Sequence, residues 1–356
     1  MENVVVITLF KTPGVRALLL TAFAGVGAAA HADTAVTLYG LIDQGISFQK
    51  INGSGTRTGV DSGLANQSRF GLRGTEDLGG GYKATFRLEG GFSGVDGRSE
   101  QDRLYGRQAT VGIEGDAGGI TLGRQEVLGR AWGAEVASPF GVSWSENAAG
   151  TTFGYDQGDF GSGGRMDNTV LYESPAISGF QAAVGYSFAV DPGAFRTDRN
   201  NRVITSGLRY AGGPLELVVT YDMLRPAAGA DGATRRTRNL EIGAAYDFEI
   251  VKVHAGFNDL RGLNQSSTEN FVEAGHHDDR VYTAGVSVPV GAVGEVLASY
   301  QHATQSKTRV SGLAYRHSLS TRTFAYVLAN YVDTIDHDTG DARDQRRLSV
   351  GLQHKF

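Results

Sequence analysis

The chain has 356 residues, 40% hydrophobic and 20% charged, with 51 glycines, 7 prolines, no cysteine and a formal net charge of −5 at pH 7. The lack of cysteine excludes disulfide frameworks, thiolate nucleophiles and thiolate metal sites, and a mildly acidic chain without a basic tract gives no support for nucleic-acid binding. The longest apolar run, residues 17–30, is rich in Ala and Gly and falls short of the ~20 residues a membrane-spanning helix needs.

That run follows Lys11 and Arg16 and ends in Ala30-His31-Ala32, a small-x-small pattern that predicts a secretory signal peptide over residues 1–32 and a mature chain from Asp33. Removing Glu2, Lys11 and Arg16 with it takes the formal charge from −5 to −6. From there on, segments alternate apolar and polar at period two: 36–48, 68–75, 82–92, 104–114, 120–124 and onward. Each is close to the length a tilted membrane strand requires. Short links bearing Gly or Pro are predicted at 77–81, 116–119, 174–179, 211–214, 247–250, 289–294 and 318–321. Longer polar links are predicted at 49–65, 93–103, 125–167, 191–201, 224–237, 258–279, 303–307 and 334–344.

Short and long links in alternation are the mark of turns on one side of an outer membrane and loops on the other, and fifteen connections give sixteen strands. The expected fold is therefore all-β, a sixteen-stranded antiparallel transmembrane β-barrel spanning residues 33–356. A high glycine count suits it, because tight turns need positive φ and curved strands need positions without a Cβ. The competing reading is a soluble sandwich. Against it, Val350, Leu352 and Phe356 share one face of the last segment, and Val251, Val253 and Phe257 one face of another, while small and charged groups fill the opposite faces over many strands.

Several stretches carry a family resemblance over essentially the whole mature chain. They are Val36-Thr37-Leu38-Tyr39-Gly40-Leu41-Ile42-Asp43, the run from Ser68-Arg69-Phe70-Gly71 to Gly79-Gly80-Gly81, Arg107-Gln108-Ala109, Leu122-Gly123-Arg124-Gln125, Asn168 to Pro175, and the terminal Phe356. Together they resemble the trimeric general porins of Gram-negative bacteria, in particular those of Neisseria-like and Burkholderia-like organisms. The resemblance implies a homotrimer in the outer membrane, in contact with lipid and lipopolysaccharide, that lets small hydrophilic solutes and ions diffuse, with a weak preference for anions. It also implies that Phe356 is the signal read by the barrel-assembly machinery, and that no cofactor is used.

Sixteen strands about 4.8 Å apart and tilted near 40° enclose a backbone cylinder roughly 30 Å across, too wide to sieve metabolites. Residues 125–167 form the one link far longer than ordinary connections, and in the family the third loop folds inward as the constriction. Its Ser138-Pro139-Phe140-Gly141 is similar to the family's loop tip but lacks the acid between Pro139 and Phe140, so either Glu135 or Glu146 can supply the negative side, with Asp156 and Asp159 as further candidates.

The opposite wall should be basic. Phe70 and Leu72 set the lipid face of the second strand, so Arg69 and Arg73 point into the lumen. The family's basic cluster maps onto Arg69, Arg124 and Arg165, and Arg107 is added from its matching motif. Simple alternation places Arg107 with Val111 and Arg124 with Leu122, on the lipid side, unless a bulge or a loop start re-aims them. Facing unit charges about 7 Å apart interact by roughly 0.6 kcal/mol in water and about 2.4 at an effective dielectric of 20, enough to orient solutes without trapping them.

Other motifs are weaker. His276, His277, Asp278 and Asp279 have ligand chemistry but no spaced partner run. Gly79-Gly80-Gly81 leads into a strand and reads as a turn, not a phosphate cradle. No Gly-x-Ser-x-Gly motif occurs; an outer-membrane enzyme could carry Ser and His on a barrel's outer face, but the porin resemblance and the long third loop argue against it, and an adhesin barrel would need long hydrophobic or repetitive outer loops, whereas these are polar and short apart from the third.

Overall fold

The computed structural model describes residues 35–148, 150–153, 155, 160, 164–190, 195–227, 236–263, 278–334 and 344–356. The expected signal peptide lies outside them, as do Asp156, Asp159, His276, His277 and the side chain of Glu146.

Among the described residues, seventeen strand segments form one sheet. They are β1 (Ala35–Ile51), β2 (Gly55–Ser62), β3 (Arg69–Gly79), β4 (Tyr82–Gly91), β5 (Gln108–Gly115), β6 (Gly118–Glu126), β7 (Arg165–Glu173) and β8 (Phe180–Ser187). The second half comprises β9 (Arg202–Gly212), β10 (Leu215–Arg225), β11 (Thr237–Asp247), β12 (Lys252–Arg261), β13 (Asp278–Val290), β14 (Gly294–Ala303), β15 (Arg309–Ser318), β16 (Thr323–Asp333) and β17 (Gln345–Lys355). From β3 on, each strand pairs antiparallel with the next, and β17 pairs back to β1, which closes the barrel.

Seventeen segments make sixteen staves because β2 and β3 are two halves of one. β1 pairs with β3 through Ala35–Leu41 and with β2 through Gln44–Ile51, so residues 63–68 interrupt a single stave. The sequence reading placed 49–65 in a link; instead β1 runs on to Ile51 and β2 returns along it. Thr56, Arg57, Thr58 and Asp61 make β2 polar on both faces, so its alternation carries no apolar signal, and ladder bonds to β1 hold it extended.

The outward face is apolar and uncovered. On β17 Leu348, Val350 and Leu352 are 47%, 52% and 49% exposed, whereas Ser349 and Gln353 on the opposite face are fully buried, as expected where lipid meets one face only. At the seam, Ser47 and Ser349 share a hydroxyl hydrogen bond of 2.8 Å. The ladder there ends on the last residue: Gly40 N donates to Phe356 O at 3.1 Å and Phe356 N to Gly40 O at 3.0 Å. A Cβ on Gly40 would stand 2.4 Å from Phe356 Cζ and 2.6 Å from the Arg69 carbonyl oxygen, so only glycine lets the terminal ring lie there.

The apolar core sits inside the barrel, between its wall and the long link 127–164. Val127, Ala134, Ala137, Phe153, Tyr155 and Phe160 of that link pack on Val203, Leu224, Leu260, Val281 and Ala303 of the inner wall. Those inward apolar positions depart from the small and charged lumen face read from sequence. They are tolerated because the link covers them and excludes water.

Candidate functional site

The link leaves β6 and enters the lumen as a π-helical turn, Gly129–Gly133, continued by a short α-helix, Ala134–Ala137. Its neck is held by Val127 N donating to Gly164 O at 3.0 Å and Leu128 N to Thr205 Oγ1 at 2.8 Å. Asp222 on the wall accepts from Gly129 N at 3.1 Å and from the Tyr155 hydroxyl at 2.8 Å. A short loop of two or three such bonds would be displaced by water; the buried aromatic cluster around them keeps water out.

The tip, Pro139-Phe140-Gly141, crosses to the far wall. Phe140 and Trp144, 2% and 6% exposed, pack with Phe324 and Tyr326 of β16 and with Leu64 and Ala65. Residues 63–68, where the stave is broken, act as the buttress: Trp144 N donates to Ala65 O at 2.9 Å, Ser145 Oγ to Leu64 O at 3.0 Å and Ser143 Oγ to Asn66 Oδ1 at 3.1 Å. Asp43 fixes the buttress by accepting from Ala65 N, Asn66 N and, at 2.6 Å, the Tyr326 hydroxyl. Gly141 has φ +52°, and a Cβ there would meet the Glu135 carboxylate at 2.6 Å, so tip and acid are one unit.

Between tip and wall lies a cavity of about 610 Å³. Arg69, Arg107, Arg130, Arg316 and Lys355 line it, against Glu100, Glu126 and Glu135, a formal excess of two positive charges. Arg69 is half-buried and makes no ion pair among the described residues. Arg107 donates to Glu89 at 2.6 Å and to Gln67, and Tyr39 donates to the other Glu89 oxygen at 2.8 Å. Glu126 receives Arg165 at 2.7 Å and Arg130 at 3.2 Å. Burial pushes the Glu135 carboxyl above the usual carboxylate range, partly offset by a hydrogen bond from the Val142 backbone.

The expected residues divide accordingly. Arg69, Arg107, Glu135, Pro139 and Phe140 meet at the cavity, and Arg165 stands behind it through Glu126. Arg107 escapes the lipid-side parity because β5 begins only at Gln108, which leaves it at the end of the link 92–107. Arg73 and Arg124 are not among the residues lining this cavity. Arg73 lines a separate chamber nearer the short turns. Arg124 falls in a bulge between Gly123 and Gln125, with Gly123 at φ +123°, and is buried in a tie: it donates to Gly106 O at 2.7 Å and pairs with Asp167 at 2.7 Å. Glu146 lies on a short 3-10 turn, Ser145–Asn147. Asp278 and Asp279 open β13, where Asp278 pairs with Arg261 and Asp279 accepts from Gln305 N and Ser306 N, so both acids are engaged in the wall.

Arg130, Glu126, Glu100, Arg316 and Lys355 were not read from the sequence. Period-two parity would have found two of them, since Arg316 follows Val310 and Ala314 on the lumen face of β15 and Lys355 follows Ser349 and Gln353 on β17. Arg130 and Glu100 sit on links, where no alternation applies.

The model of the Gram-negative porin family matches residues 17–356. An outer membrane porin protein of Bordetella pertussis is 35% identical over 96% of this chain and 98% of its own length. Outer membrane porin protein 32 of Delftia acidovorans is 31% identical over 96% and 99%. Among solved structures, the anion-selective porin from Comamonas acidovorans superposes with a TM-score of 0.74 at 27% identity, covering 91% of this chain and 100% of that one. A closed sixteen-stave barrel, lipid-ready outside and narrowed by an inward loop, thus belongs to the Gram-negative porins: the chain is a channel of the outer membrane, not an enzyme.

Proposed function

We propose that this porin passes small hydrophilic solutes with a preference for anions, and that Arg69 sets that preference. The observation that carries the reading is the cavity lining, five cationic groups against three carboxylates, with Arg69 free of any ion pair among the described residues. Arginine suits the role because its charge persists at every working pH. Weak attraction raises local anion concentration without a trap that would slow passage. The anion selectivity named for the Comamonas acidovorans porin agrees with it. The working unit is a homotrimer, as the family resemblance implies, and Phe356 at the closing seam serves as the assembly signal.

The test is the reversal potential of single channels under a KCl gradient, wild type against Arg69→Ala. Anion preference should fall in the variant while conductance steps still come in threes. A cation-preferring wild type, or a preference untouched by the substitution, sinks the assignment.

A further inference from the structure

On the short-turn side of the constriction, β3 and β4 set Arg73 and Arg87 directly opposite one another. Both line a chamber of about 430 Å³ distinct from the constriction cavity. Arg73 stands four residues from Arg69 along β3, roughly 13 Å at an extended rise. The two guanidinium carbons lie 5.4 and 6.0 Å from the centroid of the Tyr39 ring, which holds the pair close together. Neither arginine makes an ion pair among the described residues; Arg87 donates to Gln108 Oε1 at 2.9 Å. The chamber's carboxylate, Glu114, is set opposite Lys83, four residues along β4 from Arg87.

Like charges directly across an antiparallel pair destabilise the sheet. Here that cost stands beside a ring of hydroxyls: Thr37 opposite Arg73, Thr110 opposite Arg87, and Thr75 opposite Thr85 in the next row. Two guanidinium forks and several hydroxyl donors around open space suit a small oxyanion with two negative charges, whose separate oxygens can pair bidentately with each fork, whereas a monatomic anion offers a single acceptor atom.

We infer that Arg73 and Arg87 form a second anion subsite, separate from the constriction, that holds a small doubly charged oxyanion on the short-turn side. It rests on the chain being a water-filled channel and not on the anion preference proposed above. An anion bound there is concentrated at one mouth of the constriction, so passage becomes two weak steps in place of one.

The experiment uses the full-length folded protein in a planar bilayer in KCl, with sulfate added to each side in turn. Sulfate should reduce the current, more effectively from one side than the other. In Arg73→Gln/Arg87→Gln the half-blocking sulfate concentration should rise by about tenfold or more, and Arg73→Lys/Arg87→Lys, which keeps the charges but removes the forks, should fall between. Arg69→Ala should keep the sidedness and most of the block. If the double variant yields no folded barrel, either single Gln substitution carries the test, with a rise of about threefold. Absence of block in the wild type, block unchanged in the Gln variants, or block lost equally in Arg69→Ala overturns the subsite. Failure of the anion preference registers separately, in the reversal potential.

Discussion

Trp144 is the keystone of the constriction, and removing it should open the pore without unfolding the barrel. Its ring is 6% exposed and meets Phe140 at 6.0 Å, Phe324 at 6.2 Å and Tyr326 at 5.4 Å between centroids. Truncating a buried Trp to Ala costs about 3–5 kcal/mol, in line with ring pairs worth about 0.5–1.5 each beyond their buried area. The residue also holds φ +71°, a left-handed conformation that costs a further ~1–2 kcal/mol and persists only while the ring is seated. What remains at the tip are the Phe140 ring and three hydrogen bonds to the buttress, each bond worth about 1 kcal/mol and open to competition from lumen water. A loss of 3 kcal/mol shifts the docked-to-released ratio roughly 150-fold. Trp144→Ala should therefore show higher mean conductance and flicker between levels, while heat-modifiable mobility on gels stays as in wild type because no ladder bond is touched. Phe324→Ala should act on the same cluster, so the double variant should cost less than the sum of the singles. A folded Trp144→Ala channel with wild-type conductance and noise would falsify the anchoring role.

Two more outcomes follow from the site and the seam. Burial raises the carboxyls of Glu135 and Glu100, both on links, so on acidification they take up protons before ordinary carboxylates do. The cavity's positive excess then grows, and anion preference measured by reversal potential should rise as pH falls from neutral. Glu135→Gln should mimic this at neutral pH and flatten the response. The stability sign is opposite to that of a salt-bridged acid: a raised folded pKa makes the folded state most favoured below the unfolded value, and that contribution is lost as pH rises through the folded one. At the seam, Gly40→Ala forces a methyl between the Phe356 ring and the Arg69 carbonyl. Overpacking of this kind costs about 1–3 kcal/mol, so the gel transition from folded to heat-denatured form should move to lower temperature; an unchanged transition would mean the ring simply swings aside.

The barrel was legible in the sequence because a strand with lipid on one side and water on the other must alternate, and because its turns need residues such as Gly79–Gly81 and Pro214 at fixed intervals. Where those conditions lapse, so did the reading. β2 rises with polar residues on both faces, and the interruption at 63–68 has no periodic signature, though it supports the loop tip. Arg69 was found from Phe70 and Leu72 beside it. Arg124 breaks its strand's parity at the bulge that the sequence reading allowed for, and its partners there, Gly106 and Asp167, lie far along the chain and carry no local signal. Arg73 shares Arg69's parity, and parity tells which face a side chain is on but not how deep. Arg130 and Glu100 owe their positions to the tertiary course of links that carry no period at all.

The seam has a consequence for biogenesis. Ser47 and Ser349 touch although 302 residues separate them in the chain, and the final ladder bonds join Gly40 to Phe356. A chain missing its final strand would present unpaired edges on β1 and β16, both open to pairing with another molecule. Closure is also the pairing with the largest loop to fix, so it is costly to reach before the intervening staves are in place. Completion of the circle thus removes the last two free edges at once, whereas a barrel short of β17 would keep both.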